Sequence, residues 1–525
     1  MQRTLKNIIS SLLCLAILFS LCSCKEAQSV IDTLGIGDRD TVDPGIDRTD
    51  FSVPFLRTDS LDPYKATEAM NIYISKLLYD SLFTVSSRFE AINQIAQSYS
   101  LDGNKLSVYI KSGLSFTDGS PLTAKDVVYS YELAQKCPTY IPYLESFVQA
   151  EASGTGCIIF TMSCKNADET ANLIFPIVKA SSAEGEQDSE STDDKSNSLK
   201  SLPIGSGRYT VISDNGQRYL SANKARLGGY HPIYNRIGLV DVTDTASFGN
   251  LFEMNEIDFY CDNFDEGTYG KTTENSSKVS LTNFVYLGIN SGSGALSDAR
   301  VRRAIALALD RTELSSVSYA SCAEATALPF HPSYSKLDGI TQPTLKNKNE
   351  SAIKLLEDNG FDKVSDSGIR YSESSSLNLT LLVNNNNAFR RSLARGIQQA
   401  LEKLDIKVSI REVSYNSYVS SIQGESFDLY IGEVILSNTF GLSRFFSETG
   451  ALRYGIDLSC KSAQLYKQYQ NGELELRSFV DSFSDELPFI PIAFRQGITT
   501  ASEKLKNEIQ TLPGDCFANI NEWTA

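Results

Sequence analysis

Between Leu393 and Ile410 the apolar residues change period without a break. Leu393, Ile397, Leu401 and Leu404 recur at the spacing of one helical face, and Ile406, Val408 and Ile410 then recur at every second position. A helix that buries one stripe and runs straight into a strand that buries one face must lay both against a shared core. The chain is therefore committed to mixed α/β packing. The same grammar recurs elsewhere. Leu106-Ser-Val-Tyr-Ile110 alternates as a half-buried strand, and the turn Asp118-Gly119 follows soon after. Thr123-Ala-Lys-Asp126 is close to a capping box and predicts a helix through Val127, Val128 and Tyr131. Ser297-Asp298 precedes a stripe of Val301, Ile305 and Leu309, and a helix with Ile353, Leu355 and Leu356 stops at Asn359-Gly360.

Length decides how many cores are needed. A chain of 525 residues is too long for one, so two or three lobes are expected. With 64 acidic against 48 basic residues the net charge is −16, which argues against a nucleic-acid partner. The 25 Tyr and 26 Phe supply aromatic surface for lining a cleft.

The N-terminal stretch reads as a processing signal. Arg3 and Lys6 precede an apolar run from Ile8 to Cys22 that three serines interrupt. A spanning helix needs about 20 predominantly apolar residues, whereas an export signal needs only about 7–15. Leu21-Cys22-Ser23-Cys24 resembles a bacterial lipobox, which implies a signal peptide over 1–23 and acylation of Cys24 as the mature N-terminus. Residues 24–50, polar and punctuated by Gly and Pro, are expected to be a lipidated flexible tether. The expected location is the outer face of the cell membrane.

Seven cysteines lie beyond this segment, with no C-x-x-C spacing and only two His in the chain. No metal site and no cofactor are expected. Cys157 and Cys164 are near enough in sequence for a bridge, and the others read as small buried hydrophobes. Residues 183–198 (AEGEQDSESTDDKSNS) are acidic, Ser-rich and expected to be a disordered loop.

Several motifs then occur in order. SGLSFTDGSPLTAKDVVYSYE (Ser112 to Glu132) resembles the signature region of family 5 extracellular solute-binding proteins, the oligopeptide and dipeptide receptors of ABC importers. Leu61-Asp62-Pro63 with LLYDSLF (Leu77 to Phe83) is similar to the family's opening strand and first helix. PIGSGRY (Pro203 to Tyr209) resembles its P-x-G-x-G-x-Y turn. YLGIN, DARVRRAIALALDR, AIKLLEDNGF, SIREVSYNSY, FDLYIG and LPFIPI continue the likeness, which covers nearly all of residues 51–525.

The resemblance implies a two-lobed, periplasmic-binding-protein-like α/β clamshell with an extra subdomain inserted in the first lobe. Lobe I would combine residues 51–75, 200–283 and 493–525, with the subdomain over 76–199. Lobe II would span 284–492. Two crossover strands, near Asn283 to Ile289 and Pro488 to Ala493, would join the lobes. It further implies a monomer that binds a peptide or other small solute between the lobes and hands it to ABC permease subunits.

Ligand-binding positions carried over from the family are Thr67, Glu68 and Ala69, Tyr286 on a crossover strand, and Tyr415, with Ser417 and Tyr418 beside it. The segment Glu433 to Asn438, including Ile435, Leu436 and Ser437, matches the cleft strand that pairs with extended peptides. Main-chain hydrogen bonds of this kind give affinity without side-chain selectivity. Peptide-binding members carry an Asp shortly after this strand to meet the peptide ammonium. Here Ser437 takes that place, with Glu433 or Glu68 as alternative sources of charge. The residues themselves also allow each Tyr to be an ordinary core aromatic.

Enzyme readings lack a constellation. There is no G-x-S-x-G elbow, and His231 and His331 both lie in proline-flanked stretches that read as structural. DEGTYGKT (Asp265 to Thr272) misses a phosphate loop by its first glycine. Two further readings keep the same fold: a surface sensor that signals without transport, and a receptor for a non-peptide ligand such as a metal chelate or sugar.

Overall fold

The computed structural model describes residues 51–180, 202–263, 274–505 and 508–524. The expected signal segment, Cys24, the tether, the loop 183–198 and the DEGTYGKT stretch lie outside the described residues.

In chain order, β1 (Ser52–Leu56) leads to α1 (Ala69–Leu78), then to a hairpin of β2 (Phe83–Val85) and β3 (Ala91–Asn93). An antiparallel sheet follows from β4 (Ala96–Asp102), β5 (Lys105–Ile110), β6 (Phe147–Ser153) and β7 (Cys157–Met162), with α2 (Ala124–Ala134) packed on it. The Thr123 capping box forms as its spacing predicts, with Asp126 accepting from Thr123 N at 2.8 Å. The chain then returns through β8 (Tyr209–Asp214), β9 (Gln217–Ala222) and β10 (Arg236–Val242), which join β1 in the order β1-β10-β9-β8.

A larger sheet takes the rest. Its path is β11 (Phe259–Asp262), β19 (Phe489–Ala501), β12 (Ser277–Ile289), β18 (Leu429–Ile435), β16 (Asn378–Asn384) and β17 (Lys407–Val413), with β13 (Ala323–Ala325) paired to β19 and a separate pair of β14 (Lys363–Val364) and β15 (Arg370–Tyr371). Between β16 and β17 runs α3 (Ala388–Glu402), whose Leu393, Ile397 and Leu401 are buried. Leu404 falls beyond the helix, in a turn whose next residue, Asp405, has φ +60. The stripe is real, but the last turn of the expected helix unwinds to redirect the chain into β17. Next come α4 (Tyr415–Gln423) before β18, and a helical pair, Lys461–Gln470 and Leu476–Glu486, before β19.

Three hydrophobic cores result: one around β1 and α1, one around α2 and β4 to β7, and the largest in the second lobe. β12 and β19 thread the two larger ones. Val279 and Leu281 are buried in the first core, whereas Phe284, Val285 and Leu287 are buried in the largest. β19 runs back, with Phe489 to Phe494 in the largest core and Ala501 in the first. The molecule is a two-lobed α/β protein whose lobes share these strands.

The signature motifs converge on one joint. Gly205 and Gly207 of PIGSGRY press on the end of α1, where an added Cβ would stand 1.9 Å from Leu78 O at Gly205 and 2.4 Å from Leu77 O at Gly207. Thr117 N of the TDG turn donates to Gly205 O at 2.8 Å, and Gly207 N donates to Leu78 O at 2.9 Å. Leu61-Asp62-Pro63 is a turn and not a strand: Tyr64 N donates to Asp62 Oδ1 at 3.0 Å, and Pro63 has no N–H to offer a ladder. The strand lies earlier, at β1.

The inserted subdomain also leans on the second lobe. Phe89, at φ +63 after β2, is buried in the largest core with its ring 4.9 Å from Phe440. Cys157 opens β7 and Cys164 lies past its end. Five strand steps of about 3.3 Å already separate Cys157 from Met162 by about 17 Å. A disulfide needs Cα atoms within about 7 Å, so the bridge suggested by their spacing is excluded.

Candidate ligand cleft

The two crossing strands lose register where they pass between cores. Ser280 faces Gln496 and Phe284 faces Phe494, so Leu281, Thr282 and Asn283 of β12 oppose Arg495 alone. A bulge of this kind re-aims the side chains around it. Around it gathers a polar cluster from four elements. Glu433 of β18 accepts from Arg495 Nη1 of β19 at 2.8 Å and from Arg390 of α3 at 3.0 Å. Asn283 Nδ2 of β12 donates to the same carboxylate at 3.3 Å. Arg495 also donates to Asn263 O, and Asn263 Oδ1 accepts from Tyr73 of α1 at 2.8 Å. A continuous chain of contacts thus links the first lobe's helix to the second lobe's sheet.

Burial alone would raise the Glu433 pKa, but Arg495 and Arg390 together hold it below the usual carboxylate range. Both oxygens of this carboxylate are already engaged by guanidinium groups. It stands as the counter-ion of two arginines.

Thr67, the N-cap Glu68 and Ala69 lead into α1, beyond the carboxyl ends of the parallel pair β1 and β10, where α/β sheets present crevices. Asp59 caps them, accepting from Thr67 N at 3.1 Å and Glu68 N at 3.1 Å. Asn71 ties the helix to the end of β1, accepting from Leu56 N at 3.0 Å and donating to Leu56 O at 2.9 Å.

Tyr286 has no open face. Its ring is 2% exposed and lies 5.2 Å from Phe445, 5.6 Å from Phe489 and 5.8 Å from Tyr430. It fills the space above Gly432, where an added Cβ would meet the ring at 2.2 Å. Tyr430 stands over Gly288 in the same way, and the two hydroxyls are 3.3 Å apart. In this structure Tyr286 is a core residue.

Tyr415 is the opposite case: it opens α4 and is 57% exposed. Ser414 caps that helix on Ser417 N, and Tyr418 is committed, donating to Ile431 O at 2.6 Å. Ile435 is 38% exposed, and its carbonyl accepts from Arg444, which pairs with Glu145 of the subdomain at 2.6 Å.

The remaining expected residues turn inward. Leu436 is fully buried, with its N–H on Thr282 O at 3.0 Å. Ser437 Oγ accepts from Gly441 N at 3.0 Å. Asn438 is held by the subdomain, its N–H donating to Asn172 Oδ1 at 2.8 Å and its Nδ2 to Ala171 O at 2.7 Å. Beside it, Thr439 Oγ1 donates to Glu169 Oε1 at 3.0 Å, and burial raises the pKa of that carboxyl.

The edge of β18 is of most use to a guest. β16 pairs with it only at Leu381↔Leu429 and Leu382↔Tyr430, while β12 accompanies it to Ile435. Past Tyr430, the side of β18 away from β12 has no strand neighbour among the described residues.

Sequence reasoning missed Arg390, Arg495 and Asn283. Arg495 carried a signal: it is the only charge in Phe489–Ala501, a strand otherwise built for burial. A charge in such a run requires a partner. His331 is fully buried, with Nδ1 accepting from Ser333 N at 3.2 Å, and burial lowers its pKa to about 4. Among the described residues no group of three or more His, Cys, Asp or Glu is placed to hold a metal ion.

Known proteins share this organisation. Residues 90–450 match the family model described as bacterial extracellular solute-binding proteins, family 5, middle. The oligopeptide-binding protein AppA of Bacillus subtilis is 24% identical over 387 residues, covering 69% of this chain and 68% of its own. The periplasmic murein peptide-binding protein MppA of Escherichia coli is 21% identical over 416 residues, covering 73% and 74%. The crystal structure of a nickel ABC transporter protein from Bacillus halodurans superposes with a TM-score of 0.70 at 17% identity, covering 90% of this chain and 98% of that one. That likeness is one of fold.

Proposed function

This chain belongs to the bacterial extracellular solute-binding proteins of family 5, and from that premise we propose that it is a lipid-anchored receptor that captures peptides between its lobes and delivers them to an ABC permease. The observation that carries the peptide reading is that the edge of β18 past Tyr430 has no strand neighbour among the described residues, its Ile431 and Ile435 carbonyls being met only by the side chains of Tyr418 and Arg444. An extended guest adds there as a further strand, bonded through main-chain groups whatever its side chains. Thr67 to Ala69 on one lobe, and Tyr415 with Ile435 on the other, are the groups we assign to meet it. The division into 51–75 with 200–283 and 493–525, the subdomain 76–199 and the second lobe 284–492 is our working partition. Anchoring through Cys24 and a monomeric state belong to the same proposal.

Binding, not catalysis, is the reading we adopt. His331 is sealed in the core and neutral at physiological pH, so it supplies no accessible base.

One observation favours a second ligand class. Glu433, one of the two acids that could have met a peptide ammonium, is saturated by Arg390 and Arg495, which leaves Glu68 as the other, and the family resemblance puts Ser437 in the place of an acid. A buried ammonium without a counter-charge costs several kcal/mol. A non-peptide guest without a free amine, such as a metal chelate or a sugar, avoids that cost. Native mass spectrometry of the purified protein separates the two. A ladder of peptide masses released on unfolding supports the first reading. A single non-peptide mass supports the second and overturns the first.

A further inference from the structure

Two thiols with no part in ligand binding lie side by side. Cys261 on β11 and Cys516 in the C-terminal segment are 1% and 0% exposed, within one core. Phe259 and Cys261, two residues apart on a strand, project from the same face. Phe517 packs on Phe259 with ring centroids 5.2 Å apart, which carries its neighbour Cys516 over Cys261. Both are free thiols in this structure, and the neighbouring Cys261 adds to burial in raising the pKa of Cys516. The turn that leads into Cys516 is held against β12 and α1. Thr511 Oγ1 donates to Lys278 O at 2.6 Å, Gly514 N donates to Ser280 O at 3.1 Å, and Lys76 of α1 donates to Gly514 O.

We propose that Cys261 and Cys516 are joined by a disulfide in the mature, exported protein, tying the C-terminal segment to β11 beside the crossing strands. The oxidant is an extracytoplasmic protein disulfide. One cysteine thiolate attacks it to form a mixed disulfide, and the second displaces the oxidant's thiolate, which leaves as a dithiol. The two cysteines together lose two electrons and two protons, and the oxidant gains them. Both sulfurs are buried in the folded protein, so the exchange takes place before the C-terminal segment docks. Cys157 and Cys164, by contrast, are kept apart by the length of β7.

This inference rests on the extracytoplasmic placement, so the test has two arms. The full-length chain is isolated from cell membranes in N-ethylmaleimide, digested without reductant and searched for the peptide pair joining Cys261 to Cys516. The expected result is a linked pair that dithiothreitol dissolves, and a melting temperature that falls by several degrees on reduction. Recovery of both cysteines as alkylated separate peptides overturns the proposal. In the second arm, protein folded in a reducing cytoplasm is treated with glutathione disulfide. A bond in both arms supports the proposal. A bond only in this second arm overturns it as a native modification while leaving the juxtaposition intact. The Cys516→Ser variant is expected to yield no linked pair and an alkylated Cys261 after unfolding.

Discussion

The carboxylate of Glu433 lies 2.8 Å from Arg495 Nη1, and this contact joins β18 to the strand that crosses between the lobes. Arg390 takes the other oxygen at 3.0 Å, so a single buried acid balances two cations. Removing it leaves both guanidinium groups without their partner. Glu433→Gln is expected to cost about 3 kcal/mol in urea unfolding, since breaking a buried pair from one side costs about 3–5 kcal/mol. A cost below about 1 kcal/mol would show that the cluster is solvated.

The same carboxylate sets an acid limit. Its folded pKa lies below the ordinary value of 4.5. Its contribution is therefore complete above about pH 5 and is lost as pH falls through the folded pKa. Stability measured from pH 5 downward should fall more steeply in the wild type than in Glu433→Gln.

His331 acts at higher pH. Burial lowers its pKa from 6.5 to about 4, so between those values the unfolded chain takes up a proton that the folded chain refuses. Stability should then fall by about 3 kcal/mol as pH drops from 7 to 4, at about 1.4 kcal/mol per pKa unit, and flatten below. His331→Phe should lack this slope. An equal slope in both proteins would assign it to other groups.

Tyr286 and Tyr415 separate packing from recognition. Tyr286→Phe keeps the ring in its place above Gly432 and is expected to change ligand affinity less than twofold. Tyr286→Ala opens a cavity and should cost about 3–5 kcal/mol of stability. Tyr415→Ala removes an exposed ring, so its unfolding should stay within about 0.5 kcal/mol of wild type while the Kd rises about tenfold. Titration calorimetry with the ligand identified by mass spectrometry checks both.

Gly207 supports the joint under the inserted subdomain. An added Cβ there would stand 2.4 Å from Leu77 O, a backbone atom with no room to retreat. Gly207→Ala is expected to destabilise by at least about 2 kcal/mol, whereas Gly103→Ala, at φ +60 with open space around it, should cost about 1 kcal/mol from backbone strain alone.

Much of the fold was legible because it is written in local periods and caps. The stripe of Leu393, Ile397 and Leu401, the alternation of Leu106, Val108 and Ile110 and the Thr123 cap each need only neighbours a few residues away. Arg495 was half legible: its isolation in an apolar strand announced a partner without naming it. The candidate site was less readable, because its residue types fit a cleft and a core equally well.

The sequence by itself determined the α/β alternation, the caps and turns, and the glycines that let PIGSGRY meet the end of α1, since each depends on short-range geometry. Only the tertiary structure decided that Tyr286 packs on Gly432, that Glu433 is spent on two arginines, and that Asn438 binds Asn172 across 266 residues of chain. Such contacts are chosen by how separately formed layers dock. A side chain's burial and charge balance therefore depend on partners that no local pattern encodes.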